Sequence, residues 1–148
     1  MTKNFSIFLL MAVGIFLIDQ GLKSLFLSGY RYDGEYISLI LVFNKGVAFS
    51  MLAFLQENLK YIQVFIFALI TLYLLYEKQI FVKYSLPLGI LYGAGIGNLH
   101  DRFIHGGVVD YIFWHKWFNF AVFNFADVMI DFAIIWILYM SYRRKANA

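Results

Sequence analysis

Four long apolar runs, Phe5–Phe26, Tyr61–Tyr76, Phe81–Gly97 and Phe120–Tyr142, constrain this chain more than any other feature. Each approaches the roughly 20 residues that an α-helix needs to cross the hydrocarbon core of a bilayer. In lipid every backbone N–H and C=O has to find its partner within the segment, so runs of this kind fold as helices. The whole chain has 148 residues, which leaves room for connections between four spans but not for a separate soluble domain. The expected fold class is an all-α membrane protein, a single four-helix transmembrane domain over residues 1–148. A small extracytoplasmic β element and a short outer-face helical segment are expected beside it. Charged residues make up 14% of the chain, against about 25% in soluble domains. Cysteine is absent, which excludes thiol nucleophiles, disulfides and Cys-ligated metals.

Lys3 before the first run gives it the look of a signal peptide, but no small-x-small cleavage site follows, so the run is read as a retained helix. Lys3, Lys78, Lys83, Arg143, Arg144 and Lys145 crowd the two termini and the short turn between the second and third runs. Basic residues favour the cytoplasmic side, so both termini are predicted inside. Arg31, Lys45, Lys60, Arg102 and Lys116 are spread more thinly over the two long connections, which are predicted outside. The net charge of +3 thus reads as topology rather than as a nucleic-acid surface, and no nucleic-acid partner is expected. The partly alternating stretch Tyr36–Ser50 suggests the β element. Pro87 is read as sitting early in the third helix, where its missing N–H costs little.

Ionisable side chains in or beside membrane spans are costly and mark function. Asp19 lies some way along the first helix, about 20 Å from its inner end at about 1.5 Å per residue. Asn98, Asp101, Arg102 and Asp110 are read as following the outer end of the third helix. Asn124 and Asp127 are placed in the first two turns of the fourth, and Asn44 in the first outer connection. Topology alone therefore brings amides and carboxylates from four segments to one place at the outer leaflet. Asp127 and Asp131 share a helix face at i and i+4 and repel if both are ionised. Two carboxylates in a poorly solvated site share a proton, giving one base to activate water and one acid for the leaving group. That is the chemistry of aspartic proteolysis.

The segments LIDQGLK (Leu17–Lys23), FNKGVAFS (Phe43–Ser50), GIGNLHDRFIHGGVVDYI (Gly95–Ile112) and FNFADVMI (Phe123–Ile130) resemble, in order, the signature blocks of bacterial lipoprotein signal peptidases. The resemblance spans nearly the whole chain. It implies that Asp110 and Asp127 are the catalytic aspartates. It also implies that Asp19, Lys23, Asn44, Gly46, Ala48, Phe49, Gly97, Asn98, Asp101, Arg102, Asn124 and Ala126 shape the site or bind substrate. Val47 and His100 depart from the residues usual at those positions. The implied reaction is hydrolysis of a prolipoprotein's signal peptide just before its diacylglyceryl-modified cysteine, in the outer leaflet of the bacterial cytoplasmic membrane. The implied partners are that substrate and membrane lipid, with no metal, no cofactor and a monomeric enzyme.

Plainer readings stand beside these. Asp19 and Lys23, at i and i+4, form an intrahelical ion pair without any catalysis. Asp101 with Arg102 suits a structural network, since Arg is a fixed multi-donor. Asp131, without a motif position, is assigned to hydrogen bonding within the bundle. His100, His105 and His115 lack the HExxH spacing of a zinc site, and Ser50 lacks the flanks of an activated serine. Tyr111, Trp114 and Trp117 read as an aromatic belt or as an amphipathic segment over the site. Gly95, Gly97, Gly106 and Gly107 are expected to give backbone freedom. A small transporter would need polar groups along a whole transmembrane path, which the second and third runs lack. A noncatalytic membrane scaffold would tolerate Asn at the outer aspartates.

Overall fold

The computed structural model describes residues 1–46, 55 and 58–146. Four helices carry the chain: α1 (Thr2–Leu27), α2 (Asn58–Tyr76), α3 (Lys78–Ile104) and α4 (Phe125–Ala146). All four are long and apolar enough to cross a membrane. Two strands, β1 (Ile37–Asn44) and β2 (Val108–Trp114), pair antiparallel, with Ile37 opposite Trp114 and Val42 opposite Asp110. The register slips between Leu39 and Val42, and single bridges extend the sheet at Tyr32–Leu39 and Ile112–Phe123.

Helix α3 is the hub and packs against α1, α2, α4 and β2. Its contact with α1 is close because of what the sequence leaves out. Gly89, Gly93 and Gly97 recur every fourth residue, and a Cβ at the first two would press into the backbone of Phe8 and Ala12. Small residues at this spacing let two backbones approach where lipid supplies no hydrophobic drive between helices. Ile15, Ile90, Ala94, Ala126 and Ala133 form one buried cluster, and Leu74, Tyr84, Leu88 and Tyr92 a second. Leu10, Leu17, Phe65, Leu72, Ile135 and Leu138 are exposed outward, as lipid-facing side chains are.

Several boundaries differ from the sequence reading. α3 runs seven residues past Gly97, so Asn98, Asp101 and Arg102 lie on the helix and not in the connection after it. Hydropathy falls at these polar residues, but nothing in the run breaks a helix. α4 begins at Phe125 rather than Phe120, because Phe123 is held by backbone bonds to Ile112. Asn124 therefore precedes the helix. Pro87 is not early in α3. It lies well inside, and the ring's conflict with the carbonyl of Lys83 and its missing N–H fit the break at Tyr84, whose φ is −109° and ψ 18°. Of the Tyr36–Ser50 stretch, Ile37–Asn44 is strand and 47–50 lies outside the described residues. Tyr111 and Trp114 belong to β2, and residues 115–124 are not helical.

Candidate active site

Each contributing segment arrives for a local reason. The β1–β2 ladder sets Asn44 against Val108 and carries Asp110 inward, where it is buried. Gly106, at φ +71°, lets the chain turn from the end of α3 into β2, a conformation that side chains with a Cβ rarely adopt. The last turns of α3 supply Asn98, Asp101 and Arg102. Asn124 caps α4: its Oδ1 accepts the N–H of Asp127 at 2.9 Å, and Asp127 Oδ2 accepts the N–H of Asn124 at 3.0 Å. This reciprocal pair satisfies helix-end donors and locks both side chains in place.

Asp110 and Asp127 are then tied to one network. Asn124 Nδ2 donates to Asp110 Oδ1 at 2.7 Å, and Asn44 Nδ2 donates to Asp110 Oδ2 at 2.9 Å. Asn98 Nδ2 donates to Asp127 Oδ1 at 2.8 Å. Beneath them Lys23 is buried, with Nζ 2.7 Å from both Asp19 Oδ2 and Asp101 Oδ2. The ion pair read from the i, i+4 spacing is thus buried and bridges α1 to α3. Asp101 Oδ2 also accepts the N–H of Val109, at 3.1 Å, which fixes β2 to the end of α3. Arg102 Nη2 donates to the Gly46 carbonyl at 2.5 Å and Nη1 to the Asn44 carbonyl at 3.4 Å. Gly46 N–H in turn donates to Asn44 Oδ1 at 3.0 Å. The guanidinium therefore clamps the turn that presents the Asn44 amide.

Burial pushes the Asp110 carboxyl up to about 7, and the charge of Asp127 adds to the rise. The amides of Asn44 and Asn124 oppose it by stabilising the anion. Asp110 is thereby poised to hold or release a proton near neutrality. The neighbouring Tyr111 hydroxyl is pushed up to about 12 by burial and stays protonated. Its oxygen accepts the N–H of Phe125 at 3.1 Å, and its ring stacks on Phe26 with centroids 4.0 Å apart.

A family model described as signal peptidase (SPase) II matches residues 11–143. The chain belongs to the signal peptidase II family. It is a multi-pass membrane peptidase. A protein called lipoprotein signal peptidase from Sulfurimonas denitrificans is 54% identical over 143 residues, covering 97% of this chain and 92% of that one. Another so named, from a Sulfurovum species, is 56% identical over 140 residues, covering 95% of each. A bacterial membrane enzyme solved by the in meso method at 2.3 Å shares the fold, with a TM-score of 0.77 and 22% identity over 95% of this chain and 90% of that one. A second, at 1.9 Å, gives 0.70 and 21% over 91% of each.

Of the residues singled out by sequence in this signal peptidase II chain, Asp19, Lys23, Asn44, Gly46, Asn98, Asp101, Arg102, Asp110, Asn124 and Asp127 join the network just described. Ala126 is fully buried in the α1–α3–α4 cluster. Ala48 and Phe49 lie outside the described residues. Gly97 does not serve backbone freedom: it is helical, and a Cβ there would collide with the Asp19 carboxylate. Asp131 is exposed on α4 rather than bonded inside the bundle. Sequence reasoning missed Gln20, whose Nε2 donates to Asp101 Oδ1 at 3.0 Å, Gly97 O at 3.3 Å and Asp19 Oδ2 at 3.2 Å. Its place inside the LIDQGLK block, beside Asp19, was the available signal.

Proposed function

We propose that the chain removes signal peptides from prolipoproteins by aspartic proteolysis, with Asp110 and Asp127 as the catalytic pair. The scissile bond is the one before the diacylglyceryl-modified cysteine. The observation that carries this is the shared anchoring of the two carboxylates: Asn124 donates to both, through its side chain to Asp110 and through its backbone to Asp127. Two acids held on one residue in a dry site are suited to sharing a proton. One carboxylate removes a proton from water as the water oxygen attacks the scissile carbonyl carbon. The other acid protonates the carbonyl oxygen, and the departing amine takes a proton as the C–N bond breaks. The name shared by the relatives supports the lipoprotein substrate.

The distribution of basic residues supports cytoplasmic termini and a site at the outer leaflet of the cytoplasmic membrane. The polar network lies where β1, β2, the C-terminal end of α3 and the N-terminal end of α4 meet, so on that topology it faces the extracytoplasmic side. The deciding experiment is cleavage of a diacylglyceryl-modified prolipoprotein by purified wild-type protein and by folded Asp110→Asn and Asp127→Asn, with a chelator present. Loss of cutting in both variants, beside a chelator-resistant wild type, is the expected result. Retained activity in either variant removes that residue from the pair.

A further inference from the structure

An ammonium group has donors and no acceptor, so whatever faces Lys23 has to be an acceptor. Its neighbours are Asp19 Oδ2 and Asp101 Oδ2, both at 2.7 Å, and Asn98 Oδ1 at 2.8 Å. These engage all three N–H groups. The amide oxygen of Asn98 is therefore held toward Lys23, and Asn124 Nδ2 donates to the same oxygen at 3.1 Å. Its amide nitrogen is left pointing the other way, where it donates to Asp127 Oδ1 at 2.8 Å. Reversing the amide would set an NH2 group against the ammonium and an oxygen against a carboxylate.

We infer that Lys23 is a positioning residue that acts through Asn98 to keep Asp127 as the ionised base, which leaves the shared proton on Asp110. This rests on the proposed aspartate pair and assigns its two roles. Asp127 accepts an amide N–H on one oxygen and the backbone N–H of Asn124 on the other, at the start of α4 where unpaired helix N–H groups favour negative charge. Asp110 sits on a strand, without a helix end. Its oxygens meet the side-chain amides of Asn44 and Asn124, whose bonds a protonated carboxyl still accepts on its remaining lone pairs. The charged and titratable groups that act on the pair are Lys23 from α1, Arg102 from α3, Tyr111 from β2 and Asp131, exposed one turn along α4, while Asp19 from α1 and Asp101 from α3 are held against Lys23. β1 contributes the neutral Asn44.

In this assignment Asp127 takes one proton from water while the water oxygen bonds to the scissile carbon, and Asp110 gives its proton to the carbonyl oxygen. When the C–N bond breaks, the amine takes the proton from Asp127 and a hydroxyl of the intermediate returns one to Asp110. Atoms and charges balance, and the resting state is restored.

The test measures kcat and KM against pH for wild type, Lys23→Met, Lys23→Arg and Asn98→Asp, each checked for folding. Loss of the Lys23 charge is expected to move the acid limb of the kcat profile up by about one pH unit at little cost in KM, while Lys23→Arg holds the limb near its wild-type position. Asn98→Asp is isosteric and replaces the donor facing Asp127 with an acceptor. It is expected to lower kcat at pH 7 by roughly 100-fold with KM nearly unchanged. An unmoved acid limb in folded Lys23→Met overturns the inference, as does near-wild-type kcat in Asn98→Asp. If Lys23→Met does not fold, the Asn98→Asp result decides alone. Activity in Asp110→Asn or Asp127→Asn would instead remove the underlying pair, so the two failures are distinct.

Discussion

Asn124 and Asp110 meet at 2.7 Å, the side-chain amide of one donating to the buried carboxyl of the other. The same asparagine caps α4 through its oxygen, so one side chain couples the start of a helix to the acid on a strand. The two duties are separable by substitution. Asn124→Asp keeps an oxygen for the cap but places an acceptor against Asp110. It is expected to melt within a few degrees of wild type while losing most of its cleavage rate. Asn124→Ala gives up the cap as well, costing about 1 kcal/mol more. Wild-type cleavage by Asn124→Asp, or equal melting temperatures for the two variants, would contradict this division of labour.

The raised Asp110 carboxyl carries a consequence for stability. A group whose folded value lies above its unfolded value contributes stability at low pH that is lost as pH rises through the folded value. Here the window runs from the ordinary carboxyl value of 3.8 to about 7. Above it the folded protein holds an unfavourable buried charge, so Asp110→Asn is expected to raise the melting temperature at pH 8 and to change it little at pH 4. The gain is on the order of a few kcal/mol at most, since a shift of one unit corresponds to about 1.4 kcal/mol. Melting curves of both proteins at the two pH values check it. A gain that is the same at both would rule out titration as its source.

Gly97→Ala tests the closeness of α3 to α1. The new methyl would strike the Asp19 carboxylate, which holds Lys23. Overpacking of this kind costs about 1–3 kcal/mol, and displacing Asp19 disturbs the group beneath the pair. A lower melting temperature together with reduced cleavage is expected. A paired Asp19→Asn change, whose side chain carries no charge to defend, is expected not to restore activity, because Lys23 then loses one of its anions.

Arg102→Lys tests the clamp on the Asn44–Gly46 turn. Arginine reaches two carbonyls with a planar fork that lysine cannot reproduce. The variant is expected to stay folded and to lose roughly tenfold in kcat through a looser Asn44 amide, in line with the usual cost of small misplacement. Wild-type kinetics in the lysine variant would show that the turn is held by other contacts.

The spans were readable because bilayer crossing imposes one length and one backbone solution on any apolar run, and all four runs became helices. The ends were less readable. Asn98, Asp101 and Arg102 interrupt hydropathy without interrupting the helix, and Phe120–Asn124 is apolar enough to suggest helix but is spent on a bridge to Ile112. β2 is not legible in the sequence because VVDYI acquires its strand only from Ile37–Asn44, far away in sequence. The Pro87 kink is hidden in the sequence because α3 starts in the charged turn at Lys78, ahead of the apolar run.

The sequence by itself determined the class of the protein: four spans, a set of acids and amides at motif spacing, and glycines every fourth residue on α3. These follow from local chemistry, since a segment's fit to lipid and its helix face depend on its own residues. Only the tertiary structure decided the partners: that Lys23 faces Asp101 as well as Asp19, that Asn98 turns its nitrogen to Asp127, and that Asn124 serves both acids. A hydrogen bond is a relation between two groups within about 3 Å, and which atoms come that close is set by how distant segments pack.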